Sequence, residues 1–173
     1  TSASSRWNGL SLHALDGSTF KTPDTMLNRS TFEAQRYASG KSASYPQVRC
    51  VALMSLPSRI ITEVSFGNYN TNEMIYTNDI IEKIPNQSLT LLDKGFYSHG
   101  LLINLTQKGE NRHFIMPVKS GSVYKRKRGT IDDQIVEIDV SKPARKKFNG
   151  LPEKWIVRMI RVKKPRGNFM YLL

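Results

Sequence analysis

Two carboxylates in this sequence stand where they could do chemistry. Asp16 closes the run Leu12-His13-Ala14-Leu15 and is followed by Gly17, and Asp93 closes the run Leu89-Thr90-Leu91-Leu92 and is followed by Lys94 and Gly95. Asp near Gly is also a common turn pair, so the residue types alone leave a turn reading open at both places. The order of elements favours chemistry. One carboxylate ends the first strand and the other ends the first strand after a helix, and in mixed α/β sheets the ends of neighbouring strands form the ligand crevice. Side by side they would offer hard oxygen ligands suited to magnesium, and a cation would relieve their mutual repulsion. His13, Glu63 and Glu73 could approach such a site, but a strand histidine, an exposed strand glutamate and a helix-capping glutamate describe them as well, so they are left out of it.

The elements that must position these residues are read from periodicity. Ser11 to Phe20 alternates as a strand, with Leu12, Ala14 and Asp16 on one face and His13 and Leu15 on the other. Residues 22–46, rich in Ser, Thr, Asn and Gly, read as an irregular connection with a short helix around Phe32 to Tyr37. Val48 to Leu56 and Ile60 to Phe66 are apolar, β-branched runs about Pro57-Ser58-Arg59, which predicts a hairpin and, with the first strand, an antiparallel meander. Asn70 with Glu73 resembles a capping box, and Met74, Ile75, Ile81 and Ile84 recur at helical spacing up to Pro85, so a helix is predicted over about 71–84. Beyond Asp93, Ser98 can cap a helix carrying Leu101, Leu102 and Leu105, with Gly109 as its C-cap, and His113 to Val118 is the next strand. The pattern predicts an α/β fold with a mixed sheet.

The formal charge of +12 is unevenly placed. Residues 1–118 carry 11 Lys/Arg against 9 Asp/Glu, whereas residues 119–166 carry 15 against 5, so +10 lies in one segment. Such a surplus points to a polyanion, because each phosphate neutralised by Lys or Arg releases counterions. A membrane surface would need a wide apolar helix face opposite the charges, and this segment reads as strands instead, Ile135 to Val140 and Trp155 to Val162. They lie between basic loops, Lys125-Arg126-Lys127-Arg128 and Arg145-Lys146-Lys147; with Lys119 these are either solvated loop tips or DNA-backbone contacts, and the family resemblance given below favours contact. Trp155 opens an apolar strand and reads as core, with stacking on an extruded base as the rival. Phe169 to Leu173 reads as a strand that rejoins the core. No run approaches the roughly 20 apolar residues of a membrane span, no secretory signal is present, and the lone Cys50 makes no internal disulfide, so a cytoplasmic protein is expected. The chain opens on Thr1 and stops at Tyr171-Leu172-Leu173, so a longer parent protein is expected.

Four segments, in order, carry a resemblance: Trp7-Asn8-Gly9-Leu10, Leu15-Asp16-Gly17-Ser18, Tyr45-Pro46-Gln47-Val48-Arg49 and Leu92-Asp93-Lys94-Gly95-Phe96-Tyr97-Ser98. They resemble insertion-sequence transposases of the insertion-sequence-four group, over about Trp7 to Leu173. The resemblance implies a ribonuclease-H-like fold, a mixed five-stranded sheet flanked by helices, with a β-rich insertion. In that family an aspartate on the first strand, an aspartate on the fourth and a distant glutamate bind the catalytic metals, Mg2+ or Mn2+. Asp16 and Asp93 match the two aspartates. The family's glutamate lies in a helix with a Tyr-x-x-Arg-x-x-x-Glu pattern beyond a strand like Phe169 to Leu173 and has no counterpart here; Glu137 and Glu153 fall inside the insertion and do not replace it.

So read, residues 1–118 are the first part of the catalytic core, 119–166 a basic β-rich insertion, and 167–173 the strand returning to the core. The function implied is DNA cleavage and strand transfer by phosphoryl transfer at transposon ends, by a fragment expected to be inactive alone. Its partner would be double-stranded DNA, transposon ends and target, bound as a dimer in a bacterial cytoplasm at the nucleoid. Two rivals stay open. Another ribonuclease-H-like nuclease, such as a junction resolvase, requires a third carboxylate within the chain and no large β insertion. A non-enzymatic basic nucleic-acid-binding module makes both aspartates turn residues and ignores divalent cations.

Overall fold

The computed structural model describes residues 6–119, 121–165 and 167–173; the polar opening 1–5, Ser120 and Arg166 lie outside the described residues. The chain divides into two compact units, one of Leu12–Ile84 and one of Thr1–Ser11 with Pro85–Leu173. After a two-residue strand β1 (Arg6–Trp7), the chain enters β2 (Leu10–Lys21), most of which belongs to the first of these units.

In that unit, helix α1 (Met26–Phe32) and a short β3 (Ala34–Arg36) lead to the long β4 (Ser42–Ser55), β5 (Ile60–Asn68) and helix α2 (Glu73–Ile81). β4 is antiparallel to β2, β3 and β5, and the register sets Asp16 opposite Ala52 and Gly17 opposite Val51. Alternation does the rest: Leu15, Val51 and Leu53 are buried, together with Tyr76 and Ile80 of α2. The other sheet face carries Asp16, Phe20, Val64 and Phe66, all exposed.

The predicted meander is present, but the connection between its strands differs from expectation. The helix spans 26–32 and not 32–37, because Thr25 caps it by accepting from the Asn28 N–H at 3.2 Å, and Glu33 ends it with φ 61°. Residues 34–36 are extended because they pair with β4. The cap of α2 is Asn72, whose side chain accepts from the Met74 N–H at 2.9 Å; Asn70 sits instead in a turn closed by Asn68 Oδ1. Glu73 therefore opens the helix and is not a capping-box glutamate.

In the second unit β6 (Ser88–Leu92), a 3-10 turn (Lys94–Phe96), helix α3 (His99–Gln107) and β7 (Arg112–Ile115) form a strand–helix–strand unit, with β6 and β7 parallel. Ser98 caps α3 as predicted, and Leu101, Leu102, Ile103 and Leu105 are buried. The C-cap is Lys108; Gly109 follows it, pressed close to Arg112 and Asn86. Then come β8 (Lys125–Gly129), β9 (Asp133–Asp139), helix α4 (Lys142–Lys147), β10 (Lys154–Lys163) and β11 (Phe169–Leu172). They build one antiparallel sheet in the order β11-β10-β9-β8, with Gln134, Val136, Ile138, Trp155 and Met159 buried.

Both predicted basic loops are regular structure. Lys125–Arg128 is strand β8, and Arg145–Lys147 lies in α4, capped by Ser141 and with Pro143 in its first turn. β11 pairs with β10, while Met116 and Leu173 exchange backbone hydrogen bonds of 3.1 and 2.9 Å. Among the described residues no helix is long and apolar enough to cross a membrane.

Candidate functional site

Asp16 lies within β2 and not at its end, because pairing with β4 continues to Lys21 opposite Gln47. His13 and Leu15 face the interior, so Asp16 is turned out and exposed. Its Oδ1 accepts from the Gly17 N–H at 2.8 Å. Gly17 is bare for a packing reason: a methyl group there would overlap the Glu73 carboxylate. Glu73 is thus brought against the residue next to Asp16, which its sequence position did not show; the shifted cap is the signal that would have found it.

Asp93 follows β6 in the other unit and is also exposed. It caps the 3-10 turn, its Oδ1 accepting from the Gly95 N–H. A Cβ at Gly95 would lie 2.8 Å from that oxygen, so the Asp-x-Gly spacing is what lets the carboxylate fold back onto the backbone. The turn reading and the ligand reading are therefore compatible: the backbone holds Oδ1 of each aspartate, and among the described residues Oδ2 of neither has a hydrogen-bond partner. Such fixed carboxylate oxygens fit a hard divalent cation. No three His, Cys, Asp or Glu side chains group as metal ligands among the described residues.

His13 is buried and His99 half-buried, and desolvation lowers the pKa of both. His99 meets the Tyr97 ring edge-on at 5.5 Å and lies 6.0 Å from Trp155, which stacks on Phe114. Trp155 is 8% exposed, in agreement with the core reading.

The basic side chains fall into two groups. Glu137 pairs with both Lys127 and Lys154 at 3.0 Å, Arg145 with Glu153 at 2.7 Å, Arg158 with Asp133 at 2.7 Å, and Arg161 with Asp132 at 2.7 Å. The Lys154 and Lys127 ammonium groups hold the Glu137 carboxyl below its ordinary range, and the Arg158 guanidinium does so for Asp133. Of the eight predicted DNA contacts, Lys127 and Arg145 are thus engaged. Lys119, Lys125, Arg126, Arg128, Lys146 and Lys147 make no ion pair among the described residues.

The chain matches the family described as Transposase DDE domain over residues 7–172. Transposase InsG for insertion sequence element IS4, of Escherichia coli, is 39% identical over 169 residues, which are 96% of this chain and 38% of InsG. InsZ of the same organism, a putative transposase by name, is 40% identical over 111 residues, 64% of this chain and 37% of InsZ. Among solved structures, the piggyBac transposase synaptic complex with hairpin DNA matches 94% of this chain and 32% of its own at a TM-score of 0.50 and 13% identity, a likeness of fold. The chain spans less than two fifths of the length of these curated relatives.

Proposed function

The chain belongs to the Transposase DDE domain family, and from that membership we propose that it supplies the first two metal-binding aspartates, Asp16 and Asp93, of an enzyme that cuts and joins DNA at transposon ends. The observation that best supports this is the state of each carboxylate. Both are exposed, and each has one oxygen held by a glycine N–H and the other without a hydrogen-bond partner among the described residues. In the proposed enzyme the fold is ribonuclease-H-like with a five-stranded sheet, residues 1–118 are core, 119–166 an insertion and 167–173 a returning strand. Mg2+ or Mn2+ is the metal, and transposon-end and target DNA are held by a dimer at the bacterial nucleoid.

A bound divalent cation would activate the attacking water or 3′-hydroxyl and stabilise the leaving oxygen. The chain's own residues do the rest. Asp16 and Asp93 hold cation charge without competing as nucleophiles, and the unpaired cations on β8, on α4 and at Lys119 neutralise DNA phosphates and fix the strand's register.

Titration of the chain with Mn2+, followed by electron paramagnetic resonance, tests the reading. The wild-type chain should bind the ion, and Asp16→Asn and Asp93→Asn should each weaken binding at unchanged melting temperature. A chain that binds DNA but ignores Mn2+ would be the basic module instead.

A further inference from the structure

The described surface of the second unit contains a cleft of about 380 Å³, of whose lining the proposed function uses Lys119 alone. Lys94, Lys119 and Lys164 line it, and they come from three separate stretches of chain: the 3-10 turn after Asp93, the segment after β7 and the end of β10. None is in an ion pair among the described residues, and no Asp or Glu lines the cleft. The arrangement is built, not incidental. A turn closed by the Ser122 N–H on the Lys119 carbonyl at 3.1 Å holds one lysine. The Lys164 N–H on the Asn168 carbonyl at 2.7 Å holds another, and Val118 bonded to Tyr171 at 2.9 Å joins the two sides behind them. Tyr124, Phe169 and Tyr171 also line it, beside Pro117, Val118 and Met170, with the Arg161 guanidinium 4.3 Å above the Phe169 ring and the ring still half exposed.

Three exposed lysines without an ion pair among the described residues leave the cleft positively charged and attractive to an anion. Three lysines suit phosphate, and aromatic rings beside them suit a nucleobase stacked with its backbone along the charges. A cleft of this volume has the size of a small-molecule site, so it takes about one nucleotide of an unpaired strand and not a duplex. Resting on the reading of this chain as a DNA-acting transposase, we infer that Lys94, Lys119 and Lys164, with Tyr124, Phe169 and Tyr171, seat a single-stranded nucleotide of the DNA strand that passes Asp93. Lys94 follows Asp93 directly, so the seat holds the strand next to one metal-binding aspartate. The Lys125–Arg128 strand, which follows Tyr124 directly but does not line the cleft, is left to duplex backbone.

The test uses the 173-residue chain, a fluorescent single-stranded oligonucleotide and a duplex of the same sequence. Lys119→Ala with Lys164→Ala should weaken single-strand binding severalfold and flatten the slope of log K against log salt by about 0.7 for each phosphate no longer neutralised, whatever the sequence. A bromodeoxyuridine oligonucleotide on the unsubstituted chain should crosslink to Tyr124, Phe169 or Tyr171. Unchanged affinity and slope in the double variant, or crosslinks confined to β8 and α4, would overturn the seat while leaving the metal-dependent reading intact. Failure to bind Mn2+, with single-strand binding still weakened in the double variant, would sink the enzyme and keep the seat. If the wild-type chain binds neither oligonucleotide at low salt, seat and DNA partner fall together.

Discussion

Lys127 places its ammonium 3.0 Å from the Glu137 carboxylate, on the neighbouring strand of the same sheet. Lys127 is the extra residue of a bulge, since the register steps from Arg126 opposite Val136 to Arg128 opposite Ile135. Four consecutive cations are thereby made unequal: one is neutralised within the sheet, while Lys125, Arg126 and Arg128 are exposed without ion pairs among the described residues.

Duplex binding should report that inequality. Replacing Lys125, Arg126 and Arg128 by alanine should weaken binding to every sequence alike and flatten the salt slope by about 0.9 for each phosphate no longer neutralised. Lys127→Ala alone should change the slope little. Fluorescence anisotropy across a salt series measures both, and a slope change in Lys127→Ala as large as in the triple variant would refute the distinction.

Acid should loosen the antiparallel sheet of β8 to β11. Glu137 and Asp133 are held below their ordinary pKa by their cationic partners, so the stability they add is fully present above the unfolded carboxylate range, about 4, and is lost as pH falls through their folded values. Melting temperature should drop below about pH 4, and Glu137→Gln with Asp133→Asn should flatten that drop. An unchanged pH profile in the double variant would count against these pairs as the cause.

Gly100 of α3 lies under the Phe148 ring, and a methyl group there would overlap it. Gly100→Ala should therefore displace Phe148 and cost about 1–3 kcal/mol by overpacking, read from urea denaturation. The double variant Gly100→Ala with Phe148→Leu should recover part of the loss. Gly100→Ala as stable as wild type would show that the ring moves aside freely.

Gly95→Ala tests the Asp93 carboxylate without touching it. The added methyl would press on Oδ1 and shift the carboxylate off the backbone, so Mn2+ affinity should fall while the melting temperature changes little. Equal Mn2+ affinity in Gly95→Ala and wild type would mean that the folded-back carboxylate is not the metal-binding arrangement.

The chain alone should not cleave transposon-end DNA in Mg2+ or Mn2+, since no third ligand groups with others among the described residues. Denaturing gel analysis decides this, and cleavage abolished by Asp16→Ala would show that a local carboxylate stands in for the missing third ligand.

Where burial shapes the sequence, the sequence is readable. β2, β4 and α3 carry alternating or helical apolar positions because one face of each packs, and Ser98 marks its helix start directly, whereas the apolar residues Ile61, Val64 and Phe66 of β5 are exposed. Helix α1 lies away from its expected place because none of its residues is buried, so its apolar positions carry no period; only the Thr25 cap betrays it. β8, Lys-Arg-Lys-Arg-Gly, has no apolar residue and is a strand only because β9 offers its edge, a tertiary effect that overrides local preference. Asp16 and Asp93 are identifiable as outward carboxylates. The approach of Glu73 to Gly17 is not, because it depends on where α2 begins, two residues from the expected cap. Lys94 and Lys164 give no sign of each other because the cleft they share is assembled from chain segments about 70 residues apart, a separation no local period records.

The paired backbone at Met116–Val118 and Tyr171–Leu173 fastens the point where the chain leaves β7 to the point where it comes back. The residues between are held at more than this neck, because Trp155 stacks on Phe114 of β7 and the Phe148 ring lies over Gly100 of α3. Cutting them out and closing the neck with a short turn would therefore keep the paired ends but bare the faces of α3 and β7 that those two rings cover.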